Sequence, residues 1–128
     1  ENVLTALSAL GFIPKEIEGF GYRFEYEGLT VIYTVDDEEA KCITLTAPDV
    51  FDISDDNRVA VLEAMAKLCG KMKYVRPNIM FENQVWLNYQ HYLGDNEVTP
   101  ELIEHMIRVL AFSTITIHNI INGSDNDD

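Results

Sequence analysis

Three histidines are the first residues here with the chemistry to hold a metal or carry a proton. His91 falls in a stretch with strand-like alternation, and His105 and His118 in the last helical stretch. His118 lies 13 residues after His105, and at ~100° per residue the two sit on roughly opposite sides of one helix. They do not form a ligand pair, and no His-Glu-x-x-His or Cys/His spacing accompanies them. Paired carboxylates come next: the acidic run 36–39 and Asp55-Asp56. A calcium loop needs oxygen ligands at alternate positions and a glycine at its sharp turn, and neither stretch has them. The first reads as a solvated loop and the second as a helix cap. Cys42 falls in a strand and Cys69 on the apolar side of a helix. Without a Cys-x-x-Cys pattern, both read as buried, inert thiols of a cytoplasmic protein. No Gly-x-Ser-x-Gly elbow and no glycine-rich phosphate loop is present. These patterns point to no catalytic residue, no metal and no cofactor.

The aromatic residues are the remaining candidates. Tyr22, Phe24, Tyr26, Tyr33, Trp86, Tyr89 and Tyr92 concentrate in strand segments. Strand aromatics fill a sheet face or line an exposed groove as binding anchors. Trp86 alternates with Val85 and Leu87, so it points away from them, and its N–H calls for a partner.

The elements that position these residues follow from periodicity. Val3, Leu4, Leu7 and Leu10 have helical spacing, with Gly11 as the stop. Pro14 and Gly19 punctuate a link. Tyr22, Phe24 and Tyr26 alternate with Arg23 and Glu25, Glu27-Gly28 makes a tight turn, and Leu29, Val31, Tyr33 and Val35 form the second strand. A third strand runs from Cys42 to Ala47, closed by Pro48. Ser54, Asp55 and Asp56 offer caps for a second helix. Its stripe is Val59, Leu62, Met65, Ala66 and Cys69, widened by Leu68 and Met72, and Gly70 with nearby lysines marks its end. Residues 74–81 and 85–92 form a second hairpin with Asn83 at its turn. Pro77 puts the first of these strands at an edge or makes it irregular. Thr99-Pro100-Glu101 starts a third helix, Leu102 to Ile121, with Gly123 beyond it. From Arg108 to Asn122 its only formal charge is Arg108. A helix apolar over most of its girth requires burial over most of it, hence a second chain, a lid or a ligand.

The expected architecture is therefore a two-layer α+β domain over residues 1–123, with an acidic tail at 124–128. It has a five-stranded antiparallel sheet and three helices in the order α-β-β-β-α-β-β-α. The formal charge of −13, with 9 Lys and Arg against 22 acids, excludes nucleic acid as a partner and disfavours an anionic membrane surface. It favours solubility and a basic partner. No apolar run is long enough to cross a membrane, and no signal peptide pattern is found.

The short helix ending in Leu10-Gly11-Phe12, the stretch FEYEGLTVIYTVD, the passage CITLTAPDVFDISDDNRVAVLEAMAKL, the hairpin turning at Asn83 and the entry VTPELIEHM together resemble the YbjN-like bacterial family. More broadly, they resemble small acidic domains with a type III secretion chaperone-like fold. That resemblance implies a homodimer that presents a surface to an extended segment of a partner protein. The expected function is a non-enzymatic, chaperone- or adaptor-like protein-binding module. Val109, Phe112, Ile115, Thr116, Trp86 and Tyr89 are the expected interface toward a second copy or a peptide. The alternative is a small-molecule-binding or enzymatic domain with a cavity between sheet and helices.

Overall fold

The computed structural model describes residues 2–34 and 41–123; the acidic run 36–39 and the tail 124–128 lie outside them. The elements are α1 (Asn2–Ala9), β1 (Lys15–Ile17), β2 (Gly21–Tyr26), β3 (Leu29–Thr34), β4 (Cys42–Asp52), α2 (Arg58–Lys71), β5 (Val75–Met80), β6 (Gln84–Tyr92) and α3 (Pro100–Ile121). All pairings are antiparallel, in the order β1-β2-β3-β4-β6-β5. The sheet thus has six strands and not the expected five. The extra one, β1, lies in the link between Pro14 and Gly19, where Lys15, Glu16 and Ile17 pair with Arg23, Tyr22 and Gly21. β4 and β5 both oppose β6, so they run parallel to each other. α2 crosses between them and β6 is inserted in the gap.

Local chemistry explains the ends of these elements. Gly11 adopts φ 94°, Phe12 N–H reaches the Leu7 carbonyl at 2.9 Å, and Gly11 N–H reaches that of Ser8 at 3.0 Å. This is a Schellman ending, available because glycine tolerates the left-handed region. Glu27 and Gly28 both have positive φ, the two-residue turn that matches strand twist. Thr99 Oγ1 accepts from Leu102 N–H at 3.1 Å, with Pro100 at the first helical position. Gly21 allows close strand approach, since a Cβ there would run into the Tyr33 carbonyl oxygen.

Three expectations need correction. β4 does not end at Pro48; its register shifts between Ala47 and Phe51, and the strand resumes to Asp52. A bulge absorbs the residue that cannot donate to a ladder. α2 starts later than Ser54 to Asp56: Asn57 is its N-cap, without a side-chain cap bond, and Gly70 lies inside the helix. Asn57 instead ties the preceding turn, its Oδ1 accepting from Ser54 N–H at 2.7 Å and its Nδ2 donating to the Asp52 carbonyl at 3.2 Å. Finally, the packing face of α2 is Val61, Ala64 and Leu68; of the expected stripe Leu68 is buried and Met65 and Met72 are half-buried against the core, while Val59, Leu62, Ala66 and Cys69 are exposed.

The helices cover one sheet face. The core joins Leu7 of α1 and Val61 and Leu68 of α2 to Ile103, Met106, Ile107, Leu110 and Ile117 of α3. From the sheet come Phe24, Val31, Leu45, Val85, Leu87 and Tyr89. α3 has one buried face and not a buried girth. Its outer face is largely polar, with Glu101, His105, Arg108 and Asn119 exposed beside Phe112 and Ile115. Its buried hydroxyls are satisfied within the helix: Ser113 donates to the Val109 carbonyl at 2.7 Å and Thr116 to that of Phe112 at 2.8 Å.

Candidate functional site

Strand alternation turns a second set of side chains toward the face that no helix covers. These form rungs across the central strands. Thr34 pairs with Thr44, and Thr44 with Gln90. One rung on, Ile32, Thr46, Asn88 and Arg76 follow one another across β3, β4, β6 and β5. Trp86 stands opposite Asn78. All but Ile32 floor an open cavity of about 500 Å³, with Phe20, Tyr74 and Met80 at its margins. The expected cavity between sheet and helices is not where this space lies; there the buried core side chains pack.

The polar floor is partly self-bonded. Thr46 Oγ1 donates to Asn88 Oδ1 at 2.7 Å, and Gln90 Nε2 donates to Thr44 Oγ1 at 3.4 Å. The Asn88 amide nitrogen and the Gln90 carbonyl oxygen are then the groups turned to other partners. Trp86 is 9% exposed and its Nε1–H donates to Gln84 Oε1 at 2.9 Å, which answers the call of its N–H. The Phe20 ring stands edge-on to it at 6.4 Å and the Phe81 ring lies 5.7 Å away. Phe20 sits between β1 and β2, three strands from β6. At ~4.8 Å per strand a flat sheet would hold the two far apart, so their contact shows that the sheet curls around this face.

Charge at the cavity is unlike the rest of the chain. Among the described residues no acid lines it, and the one charged residue of that lining is the exposed Arg76. The ion pairs among the described residues are Arg23–Glu25, Lys41–Asp95 and Arg108–Glu104, none of which engages Arg76.

The outer helix layer carries the other notable surface. Val59 is 69% exposed and Leu62 43%, and with Ala66 and Cys69 they form a stripe along α2. Cys69 is therefore exposed, contrary to its expected burial, and both cysteines are free thiols. One turn on, Met72 joins Lys71, Phe112, Ile115, Thr116 and Asn119 around an open hollow of about 370 Å³. Phe112 is 60% exposed and Ile115 58%.

The six residues expected at an interface thus separate. Phe112 and Ile115 are exposed on the helix layer, and Val109 is half-buried beside the core. Thr116 lines the hollow but is itself buried. Trp86 faces the opposite side of the molecule. Tyr89 is 2% exposed, lies in the core with its ring stacked on the exposed Tyr74 at 5.7 Å, and is removed from any interface. Burial, then the neighbouring Tyr74, raises its phenol pKa and keeps it neutral. The floor residues Thr44, Thr46, Asn78 and Asn88 were missed as a site. Their signal was the polar half of the strand alternation, which reads equally as plain solvent exposure.

The histidines stay apart. His91 lies opposite Ile43 on the sheet, His118 packs 5.4 Å from Phe51, and His105 is exposed. Among the described residues no cluster of His, Cys, Asp or Glu could hold a metal, and no helix is long and apolar enough to cross a membrane.

The chain matches no family model, and no curated protein sequence matches it. Its backbone does match solved structures. YbjN from E. coli, described as a candidate transcription regulator, superposes with a TM-score of 0.64 at 13% identity, over 96% of this chain and 88% of that one. An uncharacterised protein from Methanothermobacter thermautotrophicus gives 0.60 at 11% identity, over 94% of each chain. The chain has a YbjN-like α+β fold. These neighbours carry that part of the resemblance and not the secretion-chaperone part.

Proposed function

We propose that this chain is a non-enzymatic, cytoplasmic protein-binding module of adaptor or chaperone-like kind, working as a homodimer joined through its helix layers. The observation that carries this is the stripe of Val59, Leu62, Ala66 and Cys69, continued by Met72, Phe112 and Ile115. Apolar side chains left in water along one layer favour burial against another surface. A second copy fits by charge. Asp52, Asp55 and Asp56 stand at the N-terminal end of α2, and Lys67, Lys71 and Lys73 at its C-terminal end. Antiparallel pairing about a two-fold axis lays each acidic end beside a basic one and opposes the helix dipoles. Val59 then meets the partner's Cys69, and the hollow at Phe112 faces the other end of the partner's helix. Both open sheet faces stay outward. A regulatory role of the kind described for YbjN would here run through protein contacts, because a net charge of −13 repels a phosphate backbone.

Light scattering coupled to size exclusion tests the dimer. The wild type has the dimer mass, and Leu62→Asp or Phe112→Asp halves it while leaving the circular dichroism spectrum intact. Val59→Cys under mild oxidation gives a covalent dimer through the partner's Cys69. A strictly monomeric wild type at high micromolar concentration removes the dimer. An unchanged mass in both Asp variants removes this face.

A further inference from the structure

We infer that the curled open face of the sheet binds an extended peptide segment of about four residues, with one carboxylate on Arg76 and an apolar side chain against Phe20 and Trp86. The inference rests on the protein-binding reading and does not depend on the dimer. From Trp86 to Gln90 the floor runs four residues along β6, about 13 Å, the span of roughly four extended residues. Asn88 and Gln90 share that face at a two-residue spacing of about 6.7 Å, which is the repeat of an extended chain. Because Thr46 occupies Asn88 Oδ1 and Thr44 occupies Gln90 Nε2, the floor offers a donor at Asn88 and an acceptor at Gln90. A strand-like segment turns a carbonyl and, two residues on, an N–H toward such a pair.

Charge selects the side chain. Arg76 shares a rung with Asn88, and among the described residues it lies in none of the ion pairs and no acid lines the cavity beside it. A guanidinium in that position takes a carboxylate in bidentate fashion. The general repulsion of an acidic protein is screened beyond about 8–10 Å at physiological salt, so one carboxylate is tolerated where several are not. Strand addition is the poorer mode. One edge, β1, is three residues long, and the other, β5, carries Pro77.

An array of N-acetylated hexapeptides, scanned position by position on the intact protein, tests this. The expected result is selection of Asp or Glu at one position and of Phe, Leu or Trp two or three residues away. By fluorescence polarisation with the selected hexapeptide, Arg76→Gln weakens binding at least tenfold. It leaves binding of the same peptide with Asn or Gln in place of its acid unchanged. Phe20→Ala, at an exposed turn, weakens both. Absence of any hexapeptide bound at millimolar concentration overturns the inference. So does selection of basic residues, or wild-type affinity in Arg76→Gln and Phe20→Ala. Each of these leaves the solution mass untouched, so the two readings fail separately.

Discussion

Asp49 shows how one residue can hold a strained position at a local cost. Its φ is 47°, in the left-handed region, at the irregular stretch of β4 beside Asp52. A hydrogen bond with the Asp52 side chain, then burial, then the charge of Asp52 raise the pKa of its carboxyl. The folded value lies above the unfolded one. The favourable contribution is therefore present below the unfolded carboxylate range and lost as pH rises through the folded value. The Asp52 charge thus opposes ionisation of Asp49. Asp49→Asn removes the repulsion and keeps a residue that tolerates positive φ. Calorimetry at pH 7 should show a raised melting temperature, worth well under ~1 kcal/mol because the site is exposed. The gain should vanish on acidification below the carboxylate range; a gain of equal size there would point to backbone strain instead. Trp86 and Tyr89 mark what sequence can say at this scale. Alternation assigned them to opposite faces, but it does not say which face the helices cover, so both were read as interface residues when one lies in the core.

At the scale of elements, ends were more legible than faces. Gly11, Glu27-Gly28 and Thr99-Pro100 each act through their own backbone or side chain, and each does what its residue type dictates. Thr99→Ala removes the acceptor for Leu102 N–H and should cost about 1 kcal/mol in urea unfolding, whereas Thr99→Ser keeps the hydroxyl and should leave stability unchanged. A loss no greater in the alanine variant would show that the cap is supplied by water. α2 was misread because apolar residues occupy two of its faces, and a period of 3.6 cannot tell which of two stripes is inside. Val61, Ala64 and Leu68 face the sheet; Val59, Leu62 and Ala66 look outward. β1 was missed because three residues, two of them charged, show no alternation. It exists through its pairing with β2. The bulge in β4 was missed for the opposite reason, since proline is a strong stop signal that tertiary pairing overrode.

At the scale of the molecule, the two layers carry different surfaces: an apolar stripe on the helices and a polar hollow on the sheet whose described lining holds no acid. The whole is joined at its middle by β4 and β6, whose pairing runs from Cys42 with Tyr92 to Asp52 with Gln84. Closing that ladder brings together residues up to fifty positions apart, a larger entropic demand than any hairpin of the sheet. A fragment ending at Met80 keeps α1, β1 to β4, α2 and β5 but loses α3 and β6, the strand that lies between β4 and β5. It should show no cooperative thermal transition by circular dichroism; a sharp transition would mean that the N-terminal half is a folding unit of its own. During translation the ribosome releases α1 and the first hairpins well before β6 emerges. Until then β4 waits as an open edge for its partner. The nascent chain therefore passes through an interval when it is most exposed to aggregation, ended only by synthesis of its last third.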